Sequence, residues 1–190
     1  MAIGIYGGNF DPIHFGHLIT AQRVLEIRNL EKIIFIPANI SPLKQDVSTA
    51  AGEHRSEMVR IAISRNKNFL VSEIELERLG VSYTIDTLKT IKKKYNDIEL
   101  IIGFDNLLKF DQWYKPEEIL GMCKLVVLHR KVDAEPKEKN KYFNQAIILD
   151  TPTIEISSTE IRERVKDNLS INYLVPLKVK EYIYENGLYK

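Results

Sequence analysis

Residues 7–17 read Gly-Gly-Asn-Phe-Asp-Pro-Ile-His-Phe-Gly-His. The stretch follows a short apolar run at 3–6 and precedes a segment in which Leu18, Ala21, Val24 and Leu25 recur at helical spacing, so it joins a strand to a helix. Gly7 and Gly8 let the backbone approach a ligand closely and present free N–H groups. His14 and His17 are three apart at the start of the helix, where unpaired N–H groups and the helix dipole favour anions, and Gly16 keeps the turn between them uncrowded. Two imidazoles beside a phosphate donate hydrogen bonds and spread the charge that develops in phosphoryl transfer. A glycine pair or one histidine alone would be an ordinary turn. Here these features coincide in one strand–loop–helix context and take two of the chain's four histidines.

A second stretch, Ile156-Ser-Ser-Thr-Glu-Ile-Arg162, points the same way. Ser157 and Glu160 have capping-box spacing, which alone would mark only a helix start. Ser158 and Thr159 add hydroxyls and N–H groups at that end, and Arg162 lies in the next turn, which suits a triphosphate. Ser82-Tyr83-Thr84-Ile-Asp86-Thr87 follows Gly80 and opens another helix. Thr84 and the neighbouring N–H groups face an anion there, although Thr84 and Asp86 are also good capping types. Ile102-Gly103-Phe104-Asp105 ends a strand with a carboxylate at its edge. Trp113, by residue type, is more often core than ligand platform.

The elements that must position these residues alternate. Short Ile-, Val- and Leu-rich runs at 3–6, 32–36, 69–74, 99–102, 125–128 and 146–149 read as strands covered on both faces. Helical spacings lie between them, in Met58, Ile61 and Ala62 and in Ile85, Leu88 and Ile91. The pattern predicts one α/β domain over 1–190, built on a doubly wound parallel sheet. Such sheets bind ligands at the carboxyl ends of their strands, near the switch in strand order. The charge-dense stretch at 131–141 reads as a surface loop. Pro176 and Gly187 bracket a last helix at 177–186 that serves packing.

Composition excludes several classes. A length of 190 residues with 44% hydrophobic content supports a core without disulfides or a structural metal. A net charge of +1 argues against bulk nucleic-acid or anionic-membrane binding. Cys123 is the only cysteine, which fits a reducing compartment and a quiet core thiol. The N-terminus lacks signal-peptide features, and no stretch nears the ~20 apolar residues of a bilayer span. These features predict a soluble cytoplasmic protein without nucleic-acid or membrane partners and leave room for a homo-oligomer.

Gly8, Phe10, Pro12, His14, Gly16 and His17 match in full the GxFxPxHxGH signature of the nucleotidylyltransferase superfamily, and residues 156–162 resemble its ISSTxIR element. The run Pro37-Ala-Asn-Ile-Ser-Pro-Leu-Lys44 resembles the PxxxPPHK loop of bacterial nicotinate-nucleotide adenylyltransferases, with Ser41 replacing a proline and Leu43 a histidine. His54, Arg55 and Met58 resemble that family's HRxxM helix, and residues 82–87 its SYTxDT element. The resemblance implies a Rossmann-like nucleotidylyltransferase fold and adenylyl transfer from ATP to nicotinate mononucleotide, a step of NAD biosynthesis. It implies catalytic roles for His14, His17, Lys44 and Arg162. ATP would be bound by Gly7, Gly8, Asn9, Phe10, His14, His17, Gly103, Asp105, Ser157, Ser158, Thr159 and Arg162. Nicotinate mononucleotide would be bound by Asn39, Lys44, Tyr83, Thr84, Asp105 and Trp113, the last stacking on the pyridine. Mg²⁺ would arrive on ATP, and nothing resembles a dedicated zinc or calcium site. His14 and the chain length count against a phosphopantetheine adenylyltransferase. Intact His14, His17 and Arg162 count against a non-catalytic nucleotide sensor.

Overall fold

The computed structural model describes residues 1–39, 50–78, 80–130, 139–152 and 154–190, with backbone alone at 129 and 130. Six strands form one parallel sheet: β1 (Ile3–Gly8), β2 (Lys32–Pro37), β3 (Phe69–Val71), β4 (Ile98–Gly103), β5 (Lys124–Arg130) and β6 (Ala146–Thr151). The helices are α1 (Phe15–Ile27), α2 (Gly52–Ile63), α3 (Thr84–Ile91), α4 (Phe104–Leu108), α5 (Pro116–Leu120), α6 (Ser158–Lys166) and α7 (Leu177–Glu185). The strand order is β3-β2-β1-β4-β5-β6, so the fold is the expected Rossmann-like α/β sheet.

Alternation along the strands divides the core in two. On β2, Ile33 and Phe35 join one cluster with Val24 of α1, Met58 of α2, Ile161 of α6 and Val179 of α7. Ile34 and Ile36 join the other with Ile85 and Leu88 of α3, Leu107 of α4 and Ile119 of α5. Each fully buried aliphatic side chain of this kind contributes about 1.5–3 kcal/mol. Both faces are therefore covered, which is why the strands read as continuous apolar runs. At Gly4 a Cβ would lie 2.9 Å from Ile101 Cδ1 and 3.0 Å from Ile33 Cγ1, so a side chain at that position would have to displace its neighbours.

Sheet order reverses between β1 and β4. Their carboxyl ends, Gly8 and Gly103, flank the crevice at which doubly wound sheets bind ligands. The strand expected at 69–74 is a correction: regular pairing stops at Val71. Ser72 N–H still donates to Phe35 O at 2.9 Å, but Glu77 N–H then bonds Glu73 O at 2.9 Å, turning the chain away from the sheet edge. The last helix ends at Glu185, and Gly187 beyond it takes φ 62°, a conformation glycine adopts without strain. Most of the expected loop at 131–141 lies outside the described residues.

Candidate active site

His14 is the N-cap of α1 and His17 its third helical residue. The His17 ring Nδ1 accepts the His14 backbone N–H at 3.3 Å. A neutral His17 with an accepting Nδ1 carries its proton on Nε2, which makes Nε2 a hydrogen-bond donor. The two rings lie 3.8 Å apart, inclined by 31°. Burial pushes the His14 imidazole down to about 4, and burial together with the neighbouring His14 holds His17 well below the usual histidine range. Both rings are thus neutral near pH 7 in the unliganded protein. They enter the site as donors rather than as cations.

Local packing dictates this arrangement. A Cβ on Gly16 would sit 2.9 Å from the His14 ring, so glycine at 16 is what lets His14 fold back over its own helix. Phe10 adopts φ 49° and buries its ring in the core, 5.1 Å from His17 and 5.6 Å from Tyr6. The Phe10 ring thus supports His17, and any contact it makes to ATP falls to its backbone. A Cβ on Gly7 or Gly103 would meet nothing within 4 Å, so both strand ends have open space before them. In the first turn of α1, Phe15 N–H donates to Leu174 O, and His17 and Leu18 N–H to His14 O. The Gly16 N–H remains without a protein partner among the described residues.

The second motif braces the first. Ser157 caps α6 by accepting Glu160 N–H at 3.1 Å, and Ser158 Oγ donates to Pro12 O at 2.9 Å. In the unliganded protein the Ser158 hydroxyl is thus engaged with the β1–α1 loop. Arg162 donates through Nη1 to Asp11 O at 2.8 Å and through Nη2 to Thr159 Oγ1 at 3.3 Å. Nη1 also lies 3.8 Å from Asp11 Oδ2. At this end the N–H groups of Ser158 and Thr159 have no partner among the described residues.

Three residues absent from the expected site hold it together. The Asp11 carboxylate, 2% exposed, accepts Ala50 N–H at 3.2 Å and Tyr189 O–H at 2.7 Å through Oδ1. Arg55, also 2% exposed, donates to three backbone carbonyls: Asn9 and Ala50, each at 2.9 Å, and Asn39 at 3.5 Å. Their signal in the sequence was weak. Arg55 belongs to the HRxxM match, yet neither its burial nor its partners follow from spacing. His54 of the same match bonds Tyr182 of α7, Nδ1 to Oη 2.9 Å, and Met58 is core.

A cavity of about 240 Å³ opens at the switch point, lined by His14, Gly16, His17, Gly103 and Asp105 together with Tyr6, Thr20, Thr151, Pro152 and Ile156. The structure thus brings both histidines to Asp105, in the first turn of α4. It does not bring Tyr83, Thr84 or Trp113 to that cavity. Tyr83 and Thr84 lie at the α3 N-terminus, and Trp113 immediately precedes Tyr114 in the chain. Tyr83 precedes the helix and stacks on Tyr114 at 4.9 Å, a partner the motif did not reveal. The Asn39 amide donates to Arg78 O at 3.0 Å and Gly80 O at 3.4 Å. Trp113 packs on Phe110 at 5.1 Å, and its buried Nε1 has no hydrogen-bond partner among the described residues. Lys44, Ser41 and Leu43 fall outside the described residues.

A strand end, a glycine loop and a histidine pair on one switch point define a nucleotidylyl-transfer site, and a family model described as cytidylyltransferase-like matches residues 5–164. The chain belongs to that family. It is 40% identical over 190 residues to the nicotinate-nucleotide adenylyltransferase of Bacillus subtilis, covering 99% of this chain and 98% of that protein. It is 42% identical over 197 residues to a protein of Caldicellulosiruptor bescii named a probable nicotinate-nucleotide adenylyltransferase, each covered in full. Within the cytidylyltransferase-like proteins, the chain belongs to the nicotinate-nucleotide adenylyltransferase family. A solved structure of Plasmodium falciparum nicotinic acid mononucleotide adenylyltransferase complexed with NaAD superposes with a TM-score of 0.82 at 22% identity, covering 99% of this chain and 97% of that one, a likeness of fold.

Proposed function

We propose that this enzyme transfers the adenylyl group of ATP to nicotinate mononucleotide, giving nicotinate adenine dinucleotide and pyrophosphate. The observation that carries the reading is the neutral, stacked His14–His17 pair facing Asp105 across the switch-point cavity. A phosphate oxygen of the mononucleotide attacks the α-phosphorus of ATP in line. The new P–O bond forms as the bond from the α-phosphorus to the β-bridging oxygen breaks, and pyrophosphate leaves with that electron pair. The attacking phosphate is already anionic near pH 7, so no general base is required.

The protein's part is positioning and charge stabilisation. His17 offers Nε2–H to the α-phosphoryl oxygens, and His14 lies beside it. Gly16 N–H and the dipole of α1 add fixed partial charge. Ser158 and Thr159 N–H groups and Arg162 take the distal phosphates, and Lys44 joins them. Asp105, a carboxylate on the cavity wall, fits a contact to Mg²⁺ that arrives on ATP and neutralises triphosphate charge. The N–H groups at the start of α3 take the nicotinate carboxylate, and Trp113 adds a stacking face. The balanced charge of +1 suits small-molecule substrates without nucleic acid. Among the described residues no helix is long and apolar enough to cross a membrane. The lone Cys123, pushed up to about 12 by burial, suits a cytoplasmic setting.

Acid-over-amide selectivity tests the assignment. Nicotinamide mononucleotide replaces a charge-assisted pair with one neutral bond and a donor–donor conflict, which costs about 2–4 kcal/mol, or roughly 30- to 800-fold in kcat/KM. Pyrophosphate release measured with the two mononucleotides reads it directly. Equal values, or a preference for the amide, would overturn the substrate while leaving adenylyl transfer in place.

A further inference from the structure

Beneath the start of α3 lies a buried acid that the mechanism above does not use. Glu75 is 8% exposed and Thr87 2%. The Thr87 hydroxyl donates to Glu75 Oε1 at 2.6 Å, and the Ser82 hydroxyl lies beside the same carboxylate and, like Thr87, favours its charged form. Ser82 Oγ in turn accepts the Asn39 N–H at 3.0 Å, beyond the carboxyl end of β2. Arg78 closes the cluster by donating to Thr87 Oγ1 and, through Nε, to Ile74 O at 3.2 Å.

Two features make this more than a helix anchor. First, a buried carboxylate beside a helix N-terminus would ordinarily cap it by accepting the first N–H groups. Glu75 accepts from hydroxyls instead. α3 has no side-chain cap, and the N–H groups of Thr84 and Ile85 have no protein partner among the described residues. Secondly, the hydroxyls belong to Ser82 and Thr87, which bracket Tyr83, Thr84 and Ile85. One acid thus sits against hydroxyls on both sides of the open turn, whose first donors have no partner among the described residues. Burial also raises the Glu75 carboxyl above the usual range, a cost that packing alone would avoid with an apolar residue.

We propose that Glu75 is a positioning residue for acid-over-amide selectivity, clamping Ser82 and Thr87 so that the Thr84 and Ile85 N–H groups stay aimed at the substrate carboxylate. The inference deepens the nicotinate reading and rests on it. A turn held from both sides presents two donors at fixed separation, which a carboxylate satisfies and a carboxamide does not. A looser turn adapts to either group, so the discrimination is lost before the catalytic step is affected.

The test compares the unmodified enzyme with Glu75→Ala, Glu75→Gln and Ser82→Ala, using pyrophosphate release with nicotinate and nicotinamide mononucleotides. Glu75→Ala raises KM for nicotinate mononucleotide about tenfold or more, with kcat and KM for ATP within about twofold. The acid:amide ratio of kcat/KM falls by a similar factor. Glu75→Gln, which keeps one acceptor for Thr87, recovers part of that loss. Ser82→Ala moves the ratio in the same direction and decides the matter if Glu75→Ala shows no cooperative melt. Unchanged ratios, or a parallel rise in KM for ATP, would overturn the role of Glu75. An unmodified enzyme without acid preference would remove the nicotinate reading itself, a result distinguishable from variants that keep a normal ratio.

Discussion

The β1–α1 loop and the start of α3 are both chain turns onto a helix with open N–H groups, yet they are built differently. In the first, the two histidine rings lie face to face, His17 meets Phe10 edge-on, and partners come from Leu174, Arg162 and Tyr189. In the second, the rings are more accessible: Tyr83 is 38% and Tyr114 53% exposed, and partners come mostly from the neighbouring turn. In the proposed function the transfer chemistry falls to the enclosed half. Choice of the acceptor base falls to the open half, where a few hydrogen bonds hold the turn before α3.

The comparison predicts separable mutant phenotypes. His17→Ala lowers kcat by roughly 10² or more, with little change in ATP affinity and equally for both mononucleotides. Steady-state kinetics giving a near-normal kcat would remove His17 from the chemistry and dissolve the contrast. Trp113→Ala belongs to the other half. It weakens both mononucleotides by about 0.5–1.5 kcal/mol, roughly two- to twelvefold, while their kcat/KM ratio holds. A ratio that collapses would place discrimination on the ring. Tyr189→Phe has the smallest kinetic effect, a rise of about threefold or less in KM for ATP. Its main cost is stability, about 1–2 kcal/mol from a lost bond to the buried Asp11 carboxylate. A denaturant melt reads that loss, and an unchanged midpoint would show that Asp11 needs no partner there.

The glycine–histidine stretch was legible because its residue types are rare and sit between an apolar run and a helical period. The six strands were legible for a related reason, since burial on both faces makes them plain apolar runs. What escaped depends on partners across the chain. The Ser158 hydroxyl's bond to Pro12 O, 146 residues away, could not be read from the motif. Asp11 meets Tyr189 across 178 residues. Glu75 lies just past an edge strand that spacing extended too far, so its turn under α3 was not foreseen. The stacking partner of Tyr83 was missed because Tyr114 is remote from the SYTxDT element in sequence.

Arg55 bears on how such a site diverges over generations. Its guanidinium grips carbonyl oxygens at positions 9, 39 and 50, and every amino acid carries that oxygen. The grip therefore reads backbone rather than side chains, and replacements at or between those positions leave its acceptors in place. Ser41 and Leu43, where the chain departs from the family's usual loop, fall between two of the anchored positions. Arg55 itself has little freedom to change: a lysine supplies one ammonium where three separate carbonyls await a planar fork.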